Sequence, residues 1–116
     1  MRLLGDGTGG WAIDGGPAPL VDGCLDVDVE GSACTNAFPM HRLGLEVGQQ
    51  ADAPAAYVRA LDLTVERLEQ SYARLEDDDG RRLYDYASPA FGYRAELVYD
   101  EFGFVLDYPG IAIRVV

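Results

Sequence analysis

The chain has 116 residues and a formal net charge of −11, with 48% hydrophobic and 25% charged residues. This length allows one domain with its own core, and the composition is that of a globular protein. All nine basic residues are arginines, scattered among 20 acidic residues, so the charge disfavours nucleic acid and anionic membrane surfaces as partners. We therefore predict a single domain, residues 1–116, that does not bind nucleic acid.

The sequence shows neither a recognisable targeting signal nor enough cysteines for a disulfide framework. No charged segment followed by an apolar stretch opens the chain, and no apolar run approaches the ~20 residues of a membrane span. We therefore predict a cytoplasmic protein without a membrane span. Two cysteines, Cys24 and Cys34, are too few for a disulfide framework and are expected to be reduced thiols in or near the core, although a disulfide between them stays open.

The first half of the chain predicts short strands separated by turns. The glycine-rich run at residues 5–10 predicts a hairpin turn, with residues 11–14 as the returning strand. Residues 24–29 alternate, which places apolar side chains on one face of a strand and Asp26 and Asp28 on the other. Alternation also predicts a strand at residues 42–47, and an apolar stretch predicts another at residues 55–61.

Residues 61–75 carry two conflicting signals. Leu61, Val65, Leu68, Tyr72 and Leu75 recur at helical spacings of three and four residues, and the composition also favours a helix. The acidic residues that follow would oppose the dipole at the end of such a helix. The pattern alone therefore predicts an amphipathic helix, against mild contrary evidence.

The remainder of the chain is typical of β structure. Alternating apolar and aromatic residues predict strands at residues 81–87, 91–99, 102–108 and 111–115, separated by turn residues. The sequence thus predicts a mainly β fold, as a curved antiparallel sheet, a roll or a partial barrel of short meandering strands, with at most one helix.

Five stretches in order resemble the putative glycolipid-binding family over nearly the whole chain. They are GWAIDG at residues 10–15, LVDGCLDVDV at 20–29, TNAFPMHRL at 35–43, EQSY at 69–72 and LDYPG at 106–110. The family typically has threonine, leucine and arginine where this chain has Ala37, Phe38 and His41. Family members usually carry further strands before the tryptophan motif, so the resemblance implies a member that lacks its N-terminal portion.

The resemblance implies a roll-like antiparallel sheet whose concave face holds acyl chains, with residues 61–75 extended. It favours a binding module, not an enzyme, for an amphiphilic ligand such as a glycolipid or an acyl-chain metabolite, without a metal or cofactor. The candidate ligand residues are Trp11, Asp26, Asp28, Asn36, Arg42, Tyr72, Tyr86 and Tyr108.

For these candidates, the residue types support either a ligand-binding role or a structural role. A guanidinium offers a planar fork of donors to headgroup oxygens, which favours Arg42, and tyrosine presents an apolar ring with a polar tip. Trp11 could equally be a core residue, and Asn36 could cap its own turn. The simplest interpretation of Asp26 and Asp28 is a solvent-facing strand surface or hydrogen-bonded support at a sheet edge.

Two other functions stay open. A small hydrolase or isomerase would use His41, the only histidine, with Asp26 or Asp28, and would need these groups in one pocket. An interaction module would use open sheet edges to form a homodimer or to bind a partner strand.

Overall fold

The computed structural model describes residues 1–113, with side chains described as far as residue 111. Within this range the strands are β1 (Leu3–Gly5), β2 (Trp11–Ile13), β3 (Gly16–Pro17), β4 (Asp26–Val29), β5 (Gln50–Asp52), β6 (Ala55–Val58), β7 (Val65–Leu68), β8 (Ser71–Arg74), β9 (Arg82–Ser88), β10 (Tyr93–Tyr99), β11 (Val105–Tyr108) and β12 (Ala112–Ile113). Helix α1 (Ala37–Leu43) and the 3-10 turns Pro19–Val21, Ala33–Asn36 and Pro89–Phe91 complete the described elements. The last residues of the strand predicted at 111–115 lie outside them.

The strands form three sheets, and within residues 1–113 none of these closes into a barrel. The largest has six antiparallel strands in the order β12-β11-β10-β9-β8-β5. A second sheet has the order β4-β6-β7, with β4 and β6 parallel, and the third is β1-β2-β3. The mainly β prediction is confirmed, and so is the hairpin after β1, which pairs with β2 across the glycine-rich turn.

Residues 61–75 form strands despite their helical spacing, because they pair with neighbouring strands. The extended structure implied by the family resemblance is therefore confirmed, and the helix predicted from the spacing is wrong. β7 pairs with β6 and β8 pairs with both β5 and β9. Leu68, Gln70 and Tyr72 are buried at alternate positions, which is the period of a strand. Leu61 is 99% exposed and contributes nothing to a helical core face.

The strand predicted at residues 42–47 is wrong, because α1 covers residues 37–43 and residues 44–47 form no strand. The 3-10 turn Ala33–Asn36 leads directly into this helix, and Pro39 lies in its first turn, where proline costs little. The helix ends at Gly44, which has a left-handed φ of 57° and donates its N–H to the carbonyl of Met40. Ala37 and Met40 are buried on the inner face of the helix.

In β4 the acidic face is buried and the apolar face is more exposed, which is the reverse of a strand whose acidic residues face solvent. Asp26 and Asp28 are buried, while the flanking apolar residues Leu25 and Val29 are exposed. The alternation itself is as predicted. A solvent-facing acidic surface is therefore wrong for this strand, and hydrogen-bonded polar support is the better description, because both carboxylates have protein partners.

The main core is unusually rich in tyrosine. Its buried members are Met40, Leu45, Ala53, Tyr72, Tyr84, Tyr86, Leu97 and Tyr99. The buried hydroxyls find partners as burial requires: Tyr86 donates to Gln70 Oε1 at 2.8 Å, and Tyr99 donates to the Asn36 carbonyl at 2.9 Å.

A smaller core lies under the first sheet. Ala18, Val21, Cys24 and Ala56 are buried there, with Trp11 packed against them. Both cysteines are free; Cys24 is buried as expected, whereas Cys34 is exposed, so its predicted place in or near the core is wrong. The outer strands of the sheets have two to four residues, and short edges present few unpaired groups. Dimerisation through these edges stays a prediction.

Candidate functional site

A cavity of about 250 Å³ lies between the six-stranded sheet and the β4-β6-β7 sheet. Strands β4 and β6 and the turn Ala33–Asn36 form one side, and β9, β10 and β11 form the other. Asp28 lies opposite Tyr57 in the parallel β4–β6 pair, and Ser88 lies opposite Tyr93 in the β9–β10 pair. Each side of the cavity therefore contributes both a polar and an aromatic residue.

Five aromatic residues line what we call the aromatic cavity: Tyr57, Tyr86, Phe91, Tyr93 and Tyr108. The rings of Tyr93 and Tyr108 stack with centroids 5.9 Å apart, and Tyr86 lies 6.0 Å from Tyr93 and 5.9 Å from Tyr108. Across the cavity, Tyr57 and Phe91 meet edge to face at 5.5 Å. These are favourable aromatic geometries, so the aromatic residues that line the cavity pack against one another.

The cavity has a buried carboxyl group in its lining. Asp28 is 9% exposed, and its Oδ1 atom accepts a hydrogen bond of 2.7 Å from the Thr35 hydroxyl. Burial raises the pKa of Asp28 to about 6, and the bond from Thr35 opposes only part of this shift. None of the ion pairs described in residues 1–113 involves Asp28.

A second buried polar group in the lining lacks a well-formed hydrogen bond. The Ser88 residue is 1% exposed, and within the described part of the chain its Oγ atom makes no hydrogen bond of good geometry, although a weaker interaction with the Tyr86 hydroxyl acts to lower the pKa of that tyrosine. A buried hydroxyl without a partner costs stability, and such groups are rare in folded proteins. Because Ser88 lines the cavity, a bound ligand could supply the missing hydrogen bond.

The cavity has an exposed apolar rim formed by Val29, Phe91 and Ile111. All three side chains are more than one-third exposed, although they lie beside a cavity whose deeper residues are buried. The lining therefore changes from polar and buried at Asp28, Asn36 and Ser88 to apolar and exposed at the rim.

Asp28 should make the folded protein less stable as the pH rises through the acidic range. Its pKa is about 6 in the folded protein and roughly 3.9 in an unfolded chain. Between these values the folded state binds more protons, so the free energy of unfolding falls with rising pH and stays lowered above about pH 6. Two pKa units correspond to a loss on the order of 2–3 kcal/mol.

Urea denaturation of the wild type and of Asp28→Asn checks this expectation. The variant should match the wild type near pH 4 and be more stable near pH 7.5, because asparagine stays neutral. Asp6 and Asp85 have lowered pKa values from their hydrogen-bond donors, which act in the opposite sense, but they cancel in the difference between the two proteins. A difference that does not change with pH would refute the burial penalty.

Of the predicted ligand residues, four line the aromatic cavity: Asp28, Asn36, Tyr86 and Tyr108. Asn36 is 3% exposed, and its Nδ2 atom donates to Tyr72 Oη at 2.7 Å. It is thus both a structural bridge to the core and part of the lining. Burial raises the pKa of Tyr86 to about 12 and also raises that of Tyr108, so both tyrosines are neutral hydrogen-bonding groups at physiological pH.

The other four predicted residues lie elsewhere. Trp11 Nε1 donates to the Cys24 carbonyl at 2.7 Å, which joins the first sheet to the start of β4. Arg42 forms a bidentate ion pair with Asp26, with the shorter contact at 2.6 Å, so this guanidinium binds a protein carboxylate. Tyr72 is fully buried in the main core.

The histidine is not brought together with the aspartates. His41 Nε2 lies 2.9 Å from the Phe102 carbonyl oxygen, and its ring meets Phe104 edge to face at 5.2 Å. Asp26 is bonded to Arg42, and Asp28 is bonded to Thr35. Among the described residues, no hydrogen bond joins His41 to either aspartate, so the hydrolase or isomerase hypothesis gains no support from these contacts.

Four residues that line the cavity are not among the predicted ligand residues: Tyr57, Ser88, Phe91 and Tyr93. Ser88 had a usable signal, because it continues the alternation that buries Tyr86 in β9 and is therefore a polar residue at an inward position. Tyr57 had none, because it reaches Asp28 only through the parallel pairing of β4 with β6. That pairing is a long-range contact that no local pattern predicts.

Other features of the described residues are less suited to a ligand. A hollow of about 360 Å³ lies on β5, β8 and β9 and is lined by polar and small residues, including the exposed Asp85–Arg94 ion pair. Among residues 1–113, no three or more histidine, cysteine, aspartate or glutamate side chains form a group able to hold a metal ion. In the same range, no helix is both long and apolar enough to cross a bilayer.

The chain is similar to a known protein family and to a solved crystal structure. The chain is similar to the crystal structure of a DUF1089 family protein from Pseudomonas aeruginosa, with 43% sequence identity and a TM-score of 0.83. That match covers 97% of this chain and 60% of the other, so the chain spans about three-fifths of the length of that protein. No curated protein matches the chain significantly. The family model described as "Putative glycolipid-binding" matches residues 1–114, and the chain therefore belongs to the putative glycolipid-binding family.

Proposed function

We propose that the aromatic cavity binds the polar head of an amphiphilic ligand, such as a glycolipid or an acyl-chain metabolite. The observation that carries the proposal is the buried Ser88 hydroxyl, which lacks a well-formed hydrogen bond and lines the same aromatic cavity as the buried Asp28. Ligand sites typically combine apolar and aromatic walls with a few placed polar groups. Membership of a family described as glycolipid-binding supports a ligand of this class.

The volume of the cavity limits how much of the ligand it encloses. About 250 Å³ is slightly below the roughly 300–1,000 Å³ of pockets for drug-sized molecules. The cavity therefore takes the head of the ligand, while an acyl chain leaves over the apolar rim of Val29, Phe91 and Ile111. The proposal is one of binding without chemical conversion, and it is supported by the hydrogen bonds of His41, Asp26 and Asp28, each of which goes to a different group of the protein.

Calorimetric titration with octyl glucoside, kept below its micelle concentration, tests the head-and-tail arrangement. Phe91→Ala should weaken binding severalfold, because it removes rim surface that covers the chain. Phe38→Ala is the matched control, since Phe38 is 49% exposed and Phe91 is 51% exposed, and Phe38 does not line the cavity. Equal losses in the two variants, or no binding to the wild type, would contradict the proposal.

Ser88→Ala separates a ligand-binding hydroxyl from a structural one. The substitution removes a buried unsatisfied group, so the free energy of unfolding should stay constant or rise by about 1 kcal/mol. Octyl glucoside affinity should nevertheless fall about tenfold, because the ligand loses a hydrogen bond in a desolvated site. If affinity is retained in a folded variant, Ser88 does not contact the head.

A further inference from the structure

We propose that the aromatic cavity selects a ligand whose polar head is a positively charged amine, such as an alkylammonium or an amino sugar. This inference rests on the proposed function and narrows the chemical class of its ligand. Its basis is the combination of aromatic ring surface with a single buried carboxyl group in the same cavity.

The aromatic residues form a cage around a space of the right size. Tyr86, Tyr93 and Tyr108 are mutually in contact on one side, and Tyr57 on the other side meets Phe91 across the cavity. Cations are attracted to aromatic faces, and cages of several rings recognise quaternary ammonium groups. A volume of about 250 Å³ corresponds to about eight water molecules at roughly 30 Å³ each, so a trimethylammonium head fits with its first methylenes.

The charges in and around the cavity favour a cation. Asp28 is the one acidic residue in the lining, and no arginine or histidine lines the cavity among the described residues. Arg59 lies 5.8 Å from the Tyr57 ring centroid but outside the lining, where it pairs with Glu66 at 2.8 Å and with Glu30 at 3.9 Å. The net charge of −11 adds a field that attracts cations and repels anions.

The carboxyl group of Asp28 distinguishes the possible heads. An ammonium ion would supply the counter-charge that Asp28 lacks within the protein, and a buried charge gains most from a partner. A carboxylate or phosphate head would face the same group with like charge and would find no basic side chain. A neutral sugar would donate a hydrogen bond to Asp28 and exchange one with Ser88, but it would leave the charge of the carboxylate uncompensated.

Three probes with the same eight-carbon chain test the inference by calorimetry near neutral pH: octyltrimethylammonium, octyl glucoside and octanoate, each below its micelle concentration. We expect the ammonium to bind at least about tenfold more tightly than the glucoside, and octanoate to bind most weakly. Asp28→Asn should abolish the preference, so that the ammonium binds no more tightly than the glucoside does to the same variant. Asp79→Asn is the control for net charge, because Asp79 is exposed with a φ of 50°, a conformation that asparagine tolerates.

The outcomes separate this inference from the proposed function. Glucoside binding without an ammonium preference would overturn the inference and leave the proposed function standing. An ammonium preference that survives in Asp28→Asn would also overturn it, because general attraction to an acidic protein would then be the cause. Failure of all three probes would contradict both. A preference lost in Asp28→Asn and kept in Asp79→Asn would establish the cationic head.

Discussion

Alanine in place of Tyr99 is expected to lower the free energy of unfolding by about 3–5 kcal/mol. Tyr99 is fully buried in β10, within the six-stranded sheet, and its ring meets Tyr84 edge to face at 4.9 Å. Its hydroxyl donates to the Asn36 carbonyl at 2.9 Å, which ties the turn Ala33–Asn36 to the sheet. The substitution thus removes core volume and a link that positions one side of the aromatic cavity. Urea denaturation followed by circular dichroism measures the loss.

Tyr99→Phe separates the ring from the hydroxyl. It keeps the packed volume and removes one buried hydrogen bond, so its cost should be about 0.5–1.5 kcal/mol. The exposed Phe38→Ala provides the baseline for losing an aromatic ring outside the core, with an expected change within about 0.5 kcal/mol. If Tyr99→Phe costs as much as Tyr99→Ala, the hydrogen bond to the turn matters more than the packing of the ring.

Breaking the ion pair between Arg42 and Asp26 is the second large expected effect. Arg42→Ala should destabilise the protein by about 2–4 kcal/mol, because it leaves the Asp26 carboxylate buried without its partner. The Asp26 side chain is only 4% exposed, whereas that of Arg42 is 32% exposed, so solvent screening keeps the effect below the upper end of the range for fully buried pairs. Thermal and urea unfolding at neutral pH measure it.

A double variant and a binding measurement show what the pair does. Asp26→Leu combined with Arg42→Met removes both charges, and its stability should lie closer to the wild type than that of Arg42→Ala. Octyl glucoside affinity should be unchanged in the double variant, because neither residue lines the aromatic cavity. A large loss of affinity in a stable double variant would instead support the hypothesis, drawn from the sequence, that Arg42 contacts the headgroup.

The part of the candidate site that could be predicted from the sequence is the part carried by local patterns. The TNAF segment marked Asn36, the acidic alternation of β4 marked Asp28, and the tyrosine-rich strands marked Tyr86 and Tyr108; all four line the cavity. The same patterns marked Arg42 and Asp26 equally well. A side chain that binds a headgroup and one that binds a carboxylate in its own chain have the same local signature.

For the fold, alternation along the chain determined that this protein is mainly β and where most strands lie, because the two-residue period of a strand is a local property of the backbone. Alternation does not say which face is buried: β4 turns Asp26 and Asp28 inward because Arg42 and Thr35 meet them there. Helical spacing in residues 61–75 was likewise overruled by strand pairing. The cavity itself depends on the parallel contact of β4 with β6 and on the packing of two sheets, and such long-range contacts arise only in the tertiary structure.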